Sequence, residues 1–375
     1  MENKTFVDLF CGAGGLTLGL VQAGWKPIVA VDYWLDALKT YSGNLNGHPV
    51  LEKDIHEVSE KDLERFCSRS PDWVVGGPPC QGFSTVGKRQ RDDPRNTLVY
   101  QFHRLIEILR PANILIENVL GLRDMDYVDF IIDLFSTDGY VVTPLILCCA
   151  NYGVPQLRRR VFFVGDRRGR IFRPPLPTHS PEQFVTVWDA IGDLPSLLPG
   201  QSAAKYDKEP LTEYQRRLRL GSKSLQGHKA SNHPHDLVQA ISFIPDGGNR
   251  RHIPDELQPG SGYHNSYSRL NSKAPAVAVT QNMGKPSGTR CIHPFQNRGL
   301  TAREGARLQG FPDAYHFYGG MISQRLQIAN AVPPLLAYVL GRSLGSDECW
   351  EVGATPNSLA DEASRIGLDI ALGCS

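Results

Sequence analysis

The chain has 375 residues, of which 41% are hydrophobic and 21% are charged, and its formal net charge is +1. This composition is that of an ordinary globular protein and excludes a fibrous or disordered chain. No run of about 18 apolar residues occurs, and the first residues lack the pattern of a signal peptide, so we expect neither a transmembrane helix nor export. The eight cysteines are scattered without a CxxC pair, which predicts no metal site and reduced thiols in a cytoplasmic protein.

The first 170 residues alternate short apolar runs with segments of helical spacing. The runs typical of strands are TFVDLF (5–10), KPIVAVDY (26–33), HPVLEKDI (48–55), DWVVGGPP (72–79), ANILIENV (112–119), YVVTPLILCC (140–149) and RRVFFVGDRR (159–168). Helical patterns lie between them at 16–24, 35–44 and 96–110. Strands separated by helix-length segments predict an α/β fold, with a mostly parallel sheet covered by helices on both faces.

The amino-acid composition of the sequence changes near residue 173. Proline, glycine, serine and asparagine become frequent, and few periodic segments occur before helical patterns return at 300–313 and 324–345. We therefore predict a first domain formed by 1–175 and completed by 318–345. A smaller, irregular domain is predicted at 176–317, and a C-terminal tail without a strong structural signal at 346–375.

A glycine-rich turn joins the first predicted strand to a helix in FVDLFCGAGG (6–15). Its glycines let a ligand approach the backbone, and a helix start favours polar or anionic groups. Position 17 is threonine, so the dinucleotide pattern GxGxxG is absent and a dehydrogenase is disfavoured. Asp32 ends the second strand, where it can accept hydrogen bonds from ribose hydroxyls, and Asp54 ends the third, within reach of an adenine amino group. Carboxylates at strand ends also cap helices, but together these features favour an adenosine-type ligand.

The segment GGPPCQGFST (76–85) carries a single cysteine, Cys80, in a loop of glycine and proline. A free cysteine is most often a small buried hydrophobe, but that role fits poorly with these neighbours. Cys80 follows the fourth predicted strand and Glu117 follows the fifth, so both are expected at the edge where parallel strands end. A thiolate beside a carboxyl group suits covalent catalysis with proton transfer.

Positive charge is concentrated in the middle of the chain. The segment QLRRRVFFVGDRRGRIFR (156–173) contains seven arginines, and residues 151–235 carry 14 lysines and arginines against 7 acidic residues. Charged runs are usually solvated faces. Because this run begins near the expected active edge and continues into the irregular domain, it also suits a phosphate backbone.

Seven motifs resemble, in order and spacing, those of the DNA (cytosine-5) methyltransferase family. They are DLFCGAGG, GGPPCQGFS, IENV, QLRRR, RLNSKAPAVAVT, LTAREGARLQGFPD and QIANAVPP, and they cover the chain from about residue 5 to 340. The resemblance implies a Rossmann-like S-adenosylmethionine-dependent methyltransferase domain with a smaller, irregular target-recognition domain. It also explains an adenosine-type site without GxGxxG.

The resemblance further implies roles for individual residues. Cys80 corresponds to the catalytic nucleophile, Glu117 to the glutamate that contacts the cytosine ring nitrogen, and Arg158 and Arg160, which follow Gln156 in the QxRxR motif, to arginines near the base. Cofactor-binding positions are implied at Phe10, Gly12, Gly14, Asp32, Tyr33, Asp54, Ile55, Pro79, Leu98 and Asn330. Two positions depart from the family pattern. Asp32 stands where glutamate is usual, and Ala329 stands where glycine is usual before Asn330.

The implied function is methylation of cytosine carbon 5 in a specific double-stranded DNA sequence, on a base flipped out of the duplex. The expected setting is the bacterial cytoplasm, as a monomeric modification enzyme of a restriction-modification system with a cognate restriction endonuclease, or as an orphan methylase. Two alternatives share the fold. An RNA cytosine-5 methyltransferase of the transfer-RNA branch is disfavoured because its Cys-Phe-Thr tripeptide is absent. A non-catalytic DNA-binding relative would be expected to lose Cys80 or Glu117.

Overall fold

A computed structural model describes residues 4–79, 97–119, 125–260, 266–288 and 290–352. The chain divides into two compact units. The first unit comprises Met1–Cys148, Arg159–Thr178 and Leu336–Ser375, and the second comprises Cys149–Arg158 and His179–Leu335. The roles given to the predicted domains from the sequence stay predictions.

The bounds of the elements are as follows. The strands are β1 (Thr5–Leu9), β2 (Lys26–Asp32), β3 (Val50–Glu52), β4 (Trp73–Gly76), β5 (Asn113–Val119), β6 (Val141–Cys148), β7 (Gln156–Leu157), β8 (Arg159–Asp166), β9 (Arg170–Phe172), β10 (Ala276–Val277) and β11 (Trp350–Val352). The helices are α1 (Gly15–Gln22), α2 (Leu35–Asn44), α3 (Glu60–Glu64), α4 (Thr97–Leu109), α5 (Met125–Ser136), α6 (Val187–Ile191), α7 (Glu213–Arg219), α8 (His235–Ser242), α9 (Ala302–Leu308), α10 (Met321–Asn330) and α11 (Pro334–Leu344).

The first unit is built on a seven-stranded sheet with the order β3-β2-β1-β4-β5-β8-β6. The five strands from β3 to β5 are parallel, and β8 runs antiparallel to both of its neighbours. The strand order reverses at β1, and open α/β sheets bind ligands at such a reversal, beyond the carboxyl ends of the strands. The turn after β1 and the segment after β4 both leave the sheet at this point.

Both faces of the sheet are buried, which explains why the strand sequences do not alternate. Val7 and Leu9 pack in a core with Phe102 and other side chains of α4 and α5. Phe6, which precedes Val7 in the strand, faces the other way and contacts Trp25, with ring centroids 6.2 Å apart. The sheet therefore has an apolar layer on each side, and the predicted α/β fold with a mostly parallel sheet is confirmed.

Three elements differ in extent from their sequence patterns. The third strand shortens from the predicted 48–55 to β3, because only three of its residues pair with β2. The helical pattern at 324–345 is interrupted between α10 and α11, where consecutive prolines cannot continue a helix. In the predicted tail, β11 pairs antiparallel with β9, and the ring centroids of Trp350 and Phe172 lie 5.2 Å apart.

The second unit contains short helices joined by irregular segments, and buried ion pairs lie at its centre. Arg307 donates to Asp313 at 2.6 Å and also pairs with Asp193, and Arg298 donates to Glu304 at 2.6 Å. All five side chains are buried. Opposite charges in contact offset the cost of burying each one, and their directional hydrogen bonds fix the positions of segments that lack regular structure.

Candidate active site

The turn after β1 has an unusual backbone. Gly12 and Gly14 have φ of 51° and 83°, which glycine adopts without strain, but Phe10 also has a positive φ of 62°. A bulky residue in this region is strained, and such strain is typical of functional sites. Apart from Gly12 and its two chain neighbours, no described residue has an atom within 4 Å of the position that a Cβ on Gly12 would occupy. The turn therefore leaves open space beside Gly12, and it holds Phe10 in a backbone conformation that costs free energy.

Asp32 is held at the end of β2 by three backbone N–H groups. Its Oδ2 accepts a hydrogen bond from Gly12 N at 2.8 Å, and its Oδ1 accepts from Tyr33 N at 2.8 Å and Trp34 N at 2.9 Å. Each carboxylate oxygen keeps further acceptor capacity. Asp32 thus fixes the glycine turn while it can still accept hydrogen bonds from a ligand.

A cavity of about 290 Å³ lies beside this turn. Its walls are formed by Phe10, Val31, Asp32, Tyr33, Lys53, Asp54, Ile55, His56, Pro79 and Leu98. The structure thus brings together seven of the ten cofactor positions predicted from the sequence. Gly12 and Gly14 belong to the adjoining turn, and Asn330 is an exposed residue at the end of α10 in the second unit. The family role of each residue stays a prediction.

Two polar side chains of the cavity wall were not predicted from the sequence. His56 Nδ1 lies 2.7 Å from Asp54 Oδ1, and hydrogen bonds from the backbone and ring of His56 lower the pKa of Asp54. Lys53 Nζ donates to Asp62 at 2.7 Å. Their positions beside Asp54 in the sequence were the only available signal.

Glu117 lies within β5, not after it. The pairing of β5 with β4 ends at Ile116, but the antiparallel partner β8 continues to pair up to Val119 and so extends the strand past Glu117. The prediction that Glu117 follows the fifth strand is therefore wrong in this detail. Glu117 is 9% exposed, and Arg160 on β8 forms an ion pair with it, with Nε 2.9 Å from Oε1.

The two glycines of GGPPC permit close approaches that a side chain would block. A Cβ on Gly76 would lie 2.0 Å from the carbonyl oxygen of Leu9, and one on Gly77 would lie 3.0 Å from Glu117 Oε2. Asn118 Nδ2 adds a hydrogen bond of 3.1 Å to the carbonyl of Pro78. The segment that leads to the predicted nucleophile is therefore packed against the predicted catalytic carboxylate. Cys80 itself lies outside the described residues.

Arg158 and Gln156 have structural partners within the second unit. Arg158 is buried and donates to the carbonyls of Val279 at 3.3 Å and Ala329 at 2.7 Å. Gln156 donates to the carbonyl of Leu308 at 3.1 Å. These contacts hold backbone segments of the second unit, including the residue before Asn330, so the geometry favours a positioning role for Arg158.

Several arginines of the basic run at 156–173 form ion pairs or hydrogen bonds within the unit to which each belongs. In the first unit Arg160 pairs with Glu117, Arg170 donates to Asp166 at 2.7 Å, and Arg173 pairs with Glu351. Together with Arg158, four of the seven arginines, all within the described part of the chain, therefore have hydrogen-bond or ion-pair partners. The run is not a uniform face for phosphates.

A buried carboxyl group that the sequence did not reveal lies on β1. Asp8 is 1% exposed, and its Oδ2 accepts a hydrogen bond from Thr17 at 2.5 Å. The Tyr41 hydroxyl donates a hydrogen bond to Thr17 Oγ1 at 3.0 Å, and it lies 2.8 Å from His48 Nε2. Burial, aided by the charge of Asp32, raises the pKa of Asp8 to about 7 despite the Thr17 hydrogen bond.

Residues 4–346 match the family described as C-5 cytosine-specific DNA methylase. The chain belongs to this family. It is 38% identical to the Type II methyltransferase M1.HphI of Haemophilus parahaemolyticus, over 91% of this chain and 87% of that protein. It is also 38% identical to the Type II methyltransferase M.DdeI of Desulfomicrobium norvegicum, over 90% and 88%. A solved structure of a candidate DNA modification methyltransferase encoded within an E. coli prophage superposes with a TM-score of 0.75 at 25% identity, over 92% and 99% of the two chains.

Membership of the C-5 cytosine-specific DNA methylase family confirms the predicted enzyme class, a DNA (cytosine-5) methyltransferase, and the Rossmann-like methyltransferase fold. The RNA-modifying and non-catalytic alternatives are not favoured. The family implies S-adenosylmethionine as methyl donor and DNA as substrate. Within the part of the chain that the structure describes, every helix is too short or too polar to cross a membrane.

Proposed function

We propose that this chain methylates carbon 5 of a cytosine in a specific double-stranded DNA sequence, with Cys80 as nucleophile and Glu117 as the group that controls the ring nitrogen. The observation that carries the proposal is the Glu117–Arg160 ion pair, packed against Gly77. Cys80 follows Gly77 by three residues, a length of chain that spans at most roughly 11 Å. This length of chain would let the thiol and the carboxyl group act on one base.

The chemistry requires both groups because carbon 5 of cytosine is a weak nucleophile. In the proposed reaction the Glu117 carboxylate first takes up a proton from solvent. The Cys80 thiolate then forms a bond to carbon 6, and the Glu117 carboxyl group passes that proton to nitrogen 3. Carbon 5 then carries the electron pair that takes the methyl group. A base then removes the carbon 5 proton and the Cys80 thiolate leaves carbon 6, which re-forms the double bond between carbons 5 and 6. The proton on nitrogen 3 returns to Glu117. The base must leave the duplex stack for the thiol to reach it.

Arg160 is proposed to position Glu117. A charge-assisted hydrogen bond at 2.9 Å restricts the carboxyl group to one orientation on a strand that both neighbours fix. The preorganised group then needs little rearrangement when the cytosine ring becomes protonated.

The residues of the 290 Å³ cavity fit S-adenosylmethionine, which supplies the electrophilic methyl group when it is bound. Phe10 offers an aromatic face for adenine, Asp32 an acceptor for the ribose hydroxyls, and Asp54 an acceptor for the adenine amino group. The open space beside Gly12 suits the methionine portion next to the backbone.

Recognition of the bases that flank the cytosine is proposed for the irregular segment 176–317. Flanking bases remain in the duplex, so side chains must reach their edges from a groove. We further infer a monomeric enzyme of the bacterial cytoplasm that protects DNA against a cognate restriction endonuclease, because relatives at 38% identity are named Type II methyltransferases.

A DNA duplex in which 5-fluorocytosine replaces cytosine tests the covalent step, because its fluorine cannot leave as the carbon 5 proton does. The wild-type chain, incubated with this duplex and S-adenosylmethionine, should form a complex that survives denaturing electrophoresis. Cys80→Ser should form none and should incorporate no tritiated methyl groups, while it still binds the cofactor in calorimetry. Cys67→Ser, at a free cysteine of the first unit, is the matched control and should behave as wild type. Trapping by Cys80→Ser, or trapping of fluorinated RNA in place of DNA, would contradict the proposal.

A further inference from the structure

A recess of about 400 Å³ in the second unit is lined by basic and neutral polar residues. They are Gly247, Gly248, Asn249, Arg250, Arg251, Gln258, Ser268 and Arg290. None of these described lining residues carries a carboxylate. The acidic residues of the following short helix, Asp255–Leu257, are not part of the lining. The recess thus presents hydrogen-bond donors and positive charge.

The backbone fixes the shape of this recess. Gly247 has a positive φ of 72°, and a Cβ on Gly248 would lie 2.7 Å from the ring of Pro245. The side chain of Asn249 accepts a hydrogen bond from Arg251 N at 3.0 Å and so closes the turn. Side chains at either glycine would therefore distort the turn, and the recess is a feature of the fold.

Two of the three lining arginines are available to a ligand. Arg250 donates to the carbonyl of Pro259 at 3.3 Å, and Gln258 donates back to the carbonyl of Arg250 at 2.9 Å. The side chains of Arg251 and Arg290 are exposed and make no hydrogen bond or ion pair with any other described residue. Arg290 also has a φ of 40°, a conformation that costs a non-glycine residue free energy.

A buried cation lies directly behind the turn. Arg269 is 4% exposed, and its backbone N–H donates to the carbonyl of Gly248 at 2.9 Å. Within the described part of the chain its guanidinium donates to neutral oxygens alone, those of Ile241, Ile244, His293, Gln296 and Asn297. Among the described residues it forms no ion pair, whereas the buried Arg298 and Arg307 each contact a carboxylate. Burial lowers the pKa of Arg269 to about 10, although the charge of Asp246 opposes this shift.

We propose that this recess binds a phosphodiester group of the DNA backbone. The inference rests on the proposed function, because it assumes DNA as the substrate. A recess suits a group that protrudes, and phosphates are the protruding anions of a duplex. Base edges lie at the floors of the grooves and are reached by protruding side chains. The recess therefore anchors the duplex without recognising its sequence, and Arg269 supplies positive potential from behind.

The test is DNA binding by the full-length protein, measured by fluorescence anisotropy from 50 to 300 mM salt on two duplexes of unrelated sequence. Arg251→Ala and Arg290→Asn each remove one charge, and asparagine tolerates the positive φ at position 290. Each variant should weaken binding by the same factor on both duplexes. Each should also lower the slope of log affinity against log salt by about 1, as expected for one lost phosphate contact.

Two controls accompany these variants. Arg290→Lys keeps the charge and should keep the slope. Arg69→Ala removes an exposed arginine that precedes the amino end of β4, the opposite edge of the sheet from the glycine turn, and should leave binding unchanged. An unchanged slope in both recess variants, or a loss confined to one duplex, would overturn the anchor. If the wild-type protein neither binds nor methylates DNA, the proposed function itself has failed.

Discussion

The carboxylate of Glu117 and the guanidinium of Arg160 meet at 2.9 Å across two antiparallel strands, β5 and β8. Each strand is also paired on its other side, β5 with β4 and β8 with β6. β8 is paired on both sides at Arg160, and β5 is paired with β8 at Glu117, so the two side chains have little freedom to separate. The pair therefore presents a charged, oriented carboxyl group at the edge from which the segment to Cys80 departs.

Arg160→Ala should lower kcat for methyl transfer less than Glu117→Gln does. Loss of a positioned acid typically costs 10²–10⁴-fold, and we expect about 10-fold to 100-fold for loss of the residue that orients it. Single-turnover transfer of tritiated methyl groups measures both. The double variant should be no slower than Glu117→Gln alone, because Arg160 acts through Glu117. Multiplicative effects would show that Arg160 acts independently, and Arg160→Lys should recover part of the rate.

Phe10 allows strain and ligand binding to be separated. Phe10→Ala removes the aromatic ring but keeps a side chain at a φ of 62°, whereas Phe10→Gly removes the ring and the strain together. Both should weaken S-adenosylmethionine binding by about tenfold, as loss of aromatic contact is worth on the order of 1 kcal/mol or more. The glycine variant should unfold at a higher denaturant concentration than the alanine variant, by about 1 kcal/mol after the entropy cost of glycine. A less stable glycine variant would mean that the turn carries no strain.

Asp32 and Asp54 line the same cavity but differ in how they are held. Asp32→Ala removes an acceptor for a ligand and the partner of three backbone N–H groups. It should weaken S-adenosylmethionine binding by about 1.5–3 kcal/mol in calorimetry and also lower the melting temperature. Asp54 is exposed and contacts His56, so Asp54→Ala should weaken binding less and leave the melting temperature nearly unchanged. Equal affinities for wild type and Asp32→Ala would show that the ribose is held elsewhere.

The sequence predicted the sheet and most of the cavity because both depend on local signals. Apolar runs marked the strands, and Asp32 and Asp54 lie at or just after the ends of strands that share one edge. The Glu117–Arg160 contact was not predicted, because it requires the pairing of segments more than forty residues apart, with one strand reversed. The same holds for β11, which gains its position from the packing of Trp350 on Phe172. Arg158 and Arg160 fall two residues apart in one motif, yet their partners lie in different units.

Asp8 was missed for a different physical reason. A carboxylate inside an apolar strand looks like a break in the pattern, and only the fold shows that Thr17, Tyr41 and His48 extend a chain of hydrogen bonds from it. Its second oxygen has no hydrogen-bond partner among the described residues. Burial without full pairing favours the neutral carboxylic acid, which is why the pKa rises to about 7.

Asp8 should make the free energy of unfolding depend on pH in a defined direction. Because its pKa is raised from 3.8 to about 7 on folding, the folded protein binds more protons between these values. The stabilisation is complete below about pH 4 and is lost as the pH rises through 7, by at most about 4 kcal/mol. Asp8→Asn cannot ionise, so its stability relative to wild type, from urea unfolding, should increase between pH 5 and pH 8. The pKa of Asp54 is lowered in the folded protein. Asp54→Asn should therefore keep a constant difference in unfolding free energy from wild type over this pH range. A constant difference for Asp8→Asn would mean that Asp8 is already ionised at pH 5.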